Sequence, residues 1–180
     1  METIALYGGS FDPPHIGHKA IVEALEKLKY IDKIIILPTF LNPFKSESHA
    51  PSELRFKWLK EIFRNFKNVK IDRYEVEQNR QVPTIESVRY LLKTYTKIYL
   101  VIGADNLSSL KSWNSYEELK DLVTFIVASR DNIVIDKEFI QLNIDEKISS
   151  SKLRKNIDIS MLSREHAMEI EQYYKENNAR

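Results

Sequence analysis

The stretch Gly8-Gly9-Ser10-Phe11-Asp12-Pro13-Pro14-His15-Ile16-Gly17-His18 follows a short apolar run, Ile4-Ala5-Leu6-Tyr7, and leads into a helical pattern. A strand that ends in a glycine-rich turn and feeds a helix gathers backbone N–H groups and a helix N-terminus around an anion, a phosphate above all. His15 and His18 stand on one side of that helix start. The chain holds four glycines: Gly8, Gly9 and Gly17 lie here, and Gly103 follows another apolar run. Glycine used this sparingly, beside strand ends, points to close approach of backbone and ligand. A tight turn packed around two histidines would explain the glycine pair but not the whole string.

Apolar runs and helical patterns alternate along the chain. Strands are expected at 4–7, 33–37, 69–71, 98–102 and 123–128, with Val76 extending a further one. Helices are expected at 19–29, with Ile21, Leu25 and Leu28 on one face, and after Ser52 as cap, carrying Leu54, Trp58, Leu59 and Ile62. Thr84 follows Pro83 and precedes another that runs through Tyr95. Ser115-Tyr116-Glu117-Glu118 fits a capping box for a short helix to Leu122. Two more are expected at 150–156 and from Ser163 to about Lys175. This alternation predicts an α/β fold, a Rossmann-like parallel sheet with helices on both faces. The first strand should be central, because its end carries the phosphate turn. One domain is expected over residues 1–180. The segment 39–50 reads as a loop able to cover a site.

Net charge is +1, which argues against extended nucleic-acid binding while leaving room for local positive charge around one small anion. Without cysteine there is no disulfide, thiolate metal site or Cys nucleophile. No apolar run approaches membrane-span length, and Met1-Glu2-Thr3 leads straight into a strand. The expectation is a cytoplasmic protein with no nucleic-acid or membrane partner, and with homo-oligomer formation left open.

A second constellation lies far along the chain: Ile148-Ser149-Ser150-Ser151-Lys152-Leu153-Arg154. Hydroxyls at a helix start with an arginine one turn in suit a phosphate. Serine also simply caps helices, so the string gains weight only beside the first motif. Two polyanion sites on one small α/β domain suggest a nucleoside triphosphate.

His15-Ile16-Gly17-His18 and the Ile-Ser-Ser-Ser-x-x-Arg string resemble the two signatures of the nucleotidyltransferase superfamily. From Ala5 to Arg154 the chain resembles the bacterial nicotinate-nucleotide adenylyltransferases. Gly103-Ala104-Asp105-Asn106-Leu107, with Trp113 and Glu118-Leu119 downstream, carries that closer likeness, as does Phe125-Ile126-Val127 to Arg130. Asn42-Pro43-Phe44-Lys45 stands where the family usually has Pro-Pro-His-Lys, and Val82-Pro83-Thr84 where it usually has Ser-Tyr-Thr. Both departures bear on the acceptor rather than the reaction.

The resemblance implies transfer of AMP from ATP to nicotinate mononucleotide, giving nicotinate adenine dinucleotide and pyrophosphate. It implies that His15 and His18 contact the ATP phosphates and stabilise the transition state with Arg154 and the hydroxyls of Ser149, Ser150 and Ser151. Gly8, Gly9, Ser10 and Phe11 would pack against the nucleotide, Gly103 and Asp105 would hold the ribose, and Arg130 would lie beside adenine or phosphates. Lys45 would take the acceptor phosphate, Thr84 the nicotinate carboxylate, and Trp113 would stack on the pyridine ring. From the residues alone, Lys45 reads as solvated and Thr84 as a helix cap.

The chemistry fits. A phosphate monoester has a second pKa near ~6 and is largely dianionic at pH 7, so it needs no general base. It needs alignment with the α-phosphate and neutralisation of charge on departing pyrophosphate. No acidic cluster resembles a metal cage, so Mg²⁺ is expected on the ATP phosphates and no protein metal ligands are assigned. Asp12 reads either as orienting a histidine or binding Mg²⁺, or as an Asx turn before Pro13. Trp58, in an apolar helical stripe, reads as core; His49 and His166 read as surface residues. Alternative acceptors are nicotinamide mononucleotide and phosphopantetheine. A tRNA-charging fragment or a non-catalytic nucleotide sensor are readings from other classes; short length and the retained motif residues speak against them.

Overall fold

The five expected runs at 4–7, 33–37, 69–71, 98–102 and 123–128 all become strands of one sheet. The computed structural model describes residues 2–144, 149–164 and 166–178. Its strands are β1 (Thr3–Gly9), β2 (Lys33–Pro38), β3 (Val69–Ile71), β4 (Lys97–Gly103), β5 (Val123–Ala128) and β6 (Ile140–Leu142). All neighbours pair in parallel, in the order β3-β2-β1-β4-β5-β6. The helices are α1 (Ile16–Leu25), α2 (Ser52–Ile62), α3 (Tyr74–Gln78), α4 (Thr84–Leu91), α5 (Tyr116–Leu122), α6 (Ser150–Lys155) and α7 (Ala167–Asn178).

The two-residue period of the strands divides the core. Ala5, Tyr7, Ile34, Ile36 and Val101 face one layer with Val22, Trp58, Leu59 and Ile170. Ile4, Leu6, Ile35, Leu37 and Leu100 face the other with Ile85, Val88 and Leu119. Because both faces are covered, the central strands are apolar throughout rather than alternating. Trp58 is fully buried, as its stripe predicts, and removing its ring would cost about 3–5 kcal/mol. The chain leaves β1 for β2 on one side and β4 flanks β1 on the other. That reversal opens a crevice at the carboxyl ends of β1 and β4.

Local departures from the sequence reading have physical causes. α1 begins at Ile16 rather than Lys19, because His15 caps it. Pro51 precedes α2 in the N-cap position, so Ser52 is its first helical residue and caps nothing. Val76 lies in α3, not in a strand: Asp72 Oδ1 accepts from the Tyr74 N–H at 2.9 Å and turns the chain just after β3. α4 stops at Leu91, although the Tyr95 N–H still reaches the Leu91 carbonyl at 2.9 Å. Ser115 adopts a left-handed φ of 53° and makes no capping bond; its hydroxyl donates to Asn114 instead. β6 was not expected, and α7 starts at Ala167, just after His166, rather than at Ser163.

Candidate active site

β1 delivers the glycine turn to the crevice. The Gly9 carbonyl accepts from the Thr39 N–H at 2.9 Å, which ties the turn to the loop after β2. A Cβ on Gly9 would sit 3.3 Å from the Phe11 ring, tighter than ordinary contact, so this glycine lets the ring fold back under the turn. Phe11 is buried and meets His18 edge-on, with ring centroids 4.8 Å apart.

The histidines form a reciprocal cap. His15 Nδ1 accepts from the Gly17 N–H at 3.1 Å, and the His15 N–H donates to His18 Nδ1 at 3.1 Å. The rings stack at 3.7 Å. Both Nδ1 atoms act as acceptors, which assigns the ring proton to Nε2 on each. Desolvation and then the Arg130 charge lower the His15 pKa to about 3. Burial, then the neighbouring His15 and Arg130, hold His18 well below the ordinary imidazole value. The pair therefore offers two neutral Nε2–H donors rather than two imidazolium charges.

The serine string is bonded to this turn. Ser149 caps α6, its hydroxyl accepting from the Lys152 N–H at 3.2 Å, and the Ser150 hydroxyl donates to the Pro13 carbonyl at 3.0 Å. Arg154 donates to the Asp12 carbonyl and, at 3.4 Å, to Ser151. Ile148 of the string lies outside the described residues.

Asp12 neither orients a histidine ring nor forms an Asx turn. Its buried carboxylate accepts from the His49 and Ala50 N–H groups at 2.8 and 3.0 Å and from the Tyr174 hydroxyl. It joins the histidine turn to the 39–50 loop and to α7. His49 is exposed and His166 partly so, the latter bonded to Glu169.

One cleft of about 470 Å³ is lined by Gly8, Gly9, Ser10, Phe11, His15, His18, Gly103, Asp105, Arg130 and Ser149 to Ser151. Lys45, Thr84 and Trp113 line it too, so the structure brings together nearly every residue singled out by sequence. Arg154 is the exception: it is not among the residues lining the cleft, and it reaches the histidine turn through the Asp12 carbonyl and the cleft through Ser151. Asp105 Oδ2 accepts from Arg130 at 3.0 Å, and a Cβ on Gly103 would lie 2.5 Å from Asp105 Oδ1. Glycine at the end of β4 thus lets that carboxylate fold against the backbone. The Lys45 pKa is lowered by desolvation in its loop and then by the charge of Arg154. Phe44 is 65% exposed and sits 6.4 Å from the Trp113 ring.

Sequence reading passed over Glu75 and Ser87, which also line the cleft, and Arg55, which supports it. Arg55 had a signal: it shares a helix face with Ser52, Leu59 and Ile62, and all four are buried. Glu75 had none, since its segment reads equally as a strand edge.

A parallel sheet whose switch point carries a glycine turn, a stacked histidine pair and a serine-capped helix defines the α/β nucleotidyltransferase fold. Residues 6–156 match the cytidylyltransferase-like family. A nicotinate-nucleotide adenylyltransferase of Sulfurimonas denitrificans is 65% identical over 100% of this chain and 99% of its own length. One from Campylobacter fetus is 46% identical over 99% of each chain. The nicotinic acid mononucleotide adenylyltransferase of Plasmodium falciparum, solved with NaAD, shares the fold with a TM-score of 0.78 over 99% of this chain and 98% of that one, at 24% identity. The chain belongs to the cytidylyltransferase-like family and, within it, to the nicotinate-nucleotide adenylyltransferases.

Proposed function

We propose that the chain transfers the AMP moiety of ATP to nicotinate mononucleotide, releasing pyrophosphate and giving nicotinate adenine dinucleotide, a step of NAD biosynthesis. The observation that carries this reading is one cleft lined both by the histidine donor pair and by Lys45, Thr84 and Trp113. Such a cleft can align two nucleotides for in-line displacement.

In this reading the acceptor phosphate attacks the α-phosphorus of ATP, the bond to the β-phosphate oxygen breaks, and pyrophosphate leaves. His15 and His18 donate from Nε2 to phosphate oxygens, strengthening as charge builds on the leaving group. An approaching polyanion also raises the pKa of both rings, favouring their charged form as ATP binds. Gly8 to Phe11 leave the backbone open to the nucleotide, and Ser149 to Ser151 add hydroxyl donors. Arg154 serves by holding the Asp12 carbonyl and the Ser151 hydroxyl. Asp105 binds the ribose hydroxyls and Arg130, its present partner, turns toward the nucleotide. Lys45 takes the acceptor phosphate, Thr84 the nicotinate carboxylate and Trp113 the pyridine face.

The donor set suits a metal carried by phosphate oxygens: Asp12 spends its carboxylate on protein donors and Asp105 is paired with Arg130. Mg²⁺ bound to the triphosphate would supply charge neutralisation for the departing pyrophosphate. No helix among the described residues is long and apolar enough to cross a membrane. The reading is of a single-domain enzyme over residues 1–180, working in the cytoplasm.

The test is product analysis. Purified chain, ATP, Mg²⁺ and nicotinate mononucleotide should yield the dinucleotide and pyrophosphate in equal amounts. ATP hydrolysis without dinucleotide would refute the transfer.

A further inference from the structure

Three buried side-chain polar atoms lack a hydrogen-bond partner among the described residues: Thr39 Oγ1, Glu75 Oε2 and Trp113 Nε1. All three residues line the same cleft. Buried polar atoms are normally satisfied, so unused capacity gathered at one cleft marks where a ligand completes the bonding. Glu75 is 5% exposed, and its Oε1 accepts from the Ser87 hydroxyl at 2.6 Å. Ser87 lies one turn along α4 from Thr84, so the two share a helix face, and both reach the cleft. The Glu75 carboxyl is therefore bonded to the helix face that carries Thr84, assigned above to the nicotinate carboxylate.

We propose that Glu75 is a specificity-determining residue, donating a hydrogen bond from its Oε2–H to the ring carboxylate of the acceptor. The inference rests on the reading of the acceptor given above. An ionised carboxylate with one oxygen buried away from every donor is costly, whereas a neutral acid needs only an acceptor for its proton. Burial pushes the Glu75 pKa up to about 7, with the Ser87 hydrogen bond opposing and the Glu86 charge adding to the rise. A ring carboxylate accepts a charge-assisted bond from such a group; a ring amide accepts only a weaker neutral one. Glu75 thus favours the acid over the amide.

The test compares kcat/KM for nicotinate mononucleotide and nicotinamide mononucleotide in the parent, Glu75→Met and Glu75→Gln, with the KM for ATP measured alongside. Glu75→Met should lower the acid-to-amide ratio on the order of 10-fold, through the KM of the acid, with kcat and the KM for ATP little changed. Glu75→Gln keeps an N–H donor and should hold the ratio within about three-fold of the parent. Glu75→Ala gives the same reading should Glu75→Met not fold. A parent that prefers the acid, with a ratio unmoved in the Met or Ala variant, overturns the inference and leaves the reaction standing. Equal losses for both acceptors also overturn it. A parent that adenylylates neither mononucleotide overturns the reaction and, with it, this role for Glu75.

Discussion

Arg55 Nη1 donates to the Ser10 carbonyl at 2.6 Å, so a fully buried side chain of α2 fixes the turn that precedes the histidines. The same guanidinium reaches the Phe40 and Ala50 carbonyls, each at 2.9 Å. Arg55 thus pins both ends of the loop after β2 to the glycine turn. Asp12 does so from the turn itself, through the His49 and Ala50 N–H groups. Arg55→Met removes three donors and one of the positive charges near the Asp12 carboxylate. The expected cost is about 3–5 kcal/mol. For a chain of this size that lowers the thermal midpoint by roughly 10 °C. Calorimetry checks it; a fall under about 2 °C would show that the loop is held by other means.

In the proposed reaction His18 supplies a donor whose value rises in the transition state. His18→Ala should lower kcat on the order of 10²–10³ while changing the KM for ATP far less. Steady-state kinetics at saturating acceptor decide the matter. A variant within a few-fold of the parent turnover would remove His18 from the chemistry.

The His15 ring couples the cap to pH. Its folded-state pKa is about 3, and an unfolded imidazole titrates near 6.5. Between those values the unfolded chain binds the extra proton, so the stabilisation is complete above about 6.5 and drains away as pH falls toward 3. Asparagine caps helices well and does not titrate. Denaturant midpoints at pH 7.5 and 5 should therefore fall less in His15→Asn than in the parent. An equal fall in both would mean that His15 contributes nothing to the acid limb.

Trp113 faces the cleft with an indole N–H that has no protein acceptor among the described residues. Trp113→Ala should raise the KM for the acceptor strongly and leave the KM for ATP nearly unchanged, because a stacked ring serves only the pyridine. Equal effects on both substrates would refute stacking on the acceptor.

The sheet was legible because parallel strands covered on both faces are continuous apolar runs, as in Lys33–Pro38 and Val123–Ala128. The histidine and serine strings were legible because they combine a turn, a helix start and donor side chains at short range. What escaped depends on long-range contact. Glu75 joins the cleft only because Asp72 turns the chain into α3 and Ser87 arrives from α4. Asp12 finds its partners at His49, Ala50 and Tyr174, and no local pattern announces a pairing with α7. β6 is three residues at a sheet edge, too short for its periodicity to speak. Ser115 looked like a cap by type alone, yet a left-handed backbone turned its hydroxyl to Asn114.

Pyrophosphate release with each mononucleotide in turn decides the identity of the acceptor. The protein is given ATP and Mg²⁺ with either nicotinate mononucleotide or nicotinamide mononucleotide, and specificity constants are compared. Rapid release is expected with the acid and little with the amide. A preference for the amide, or release with neither, would contradict it.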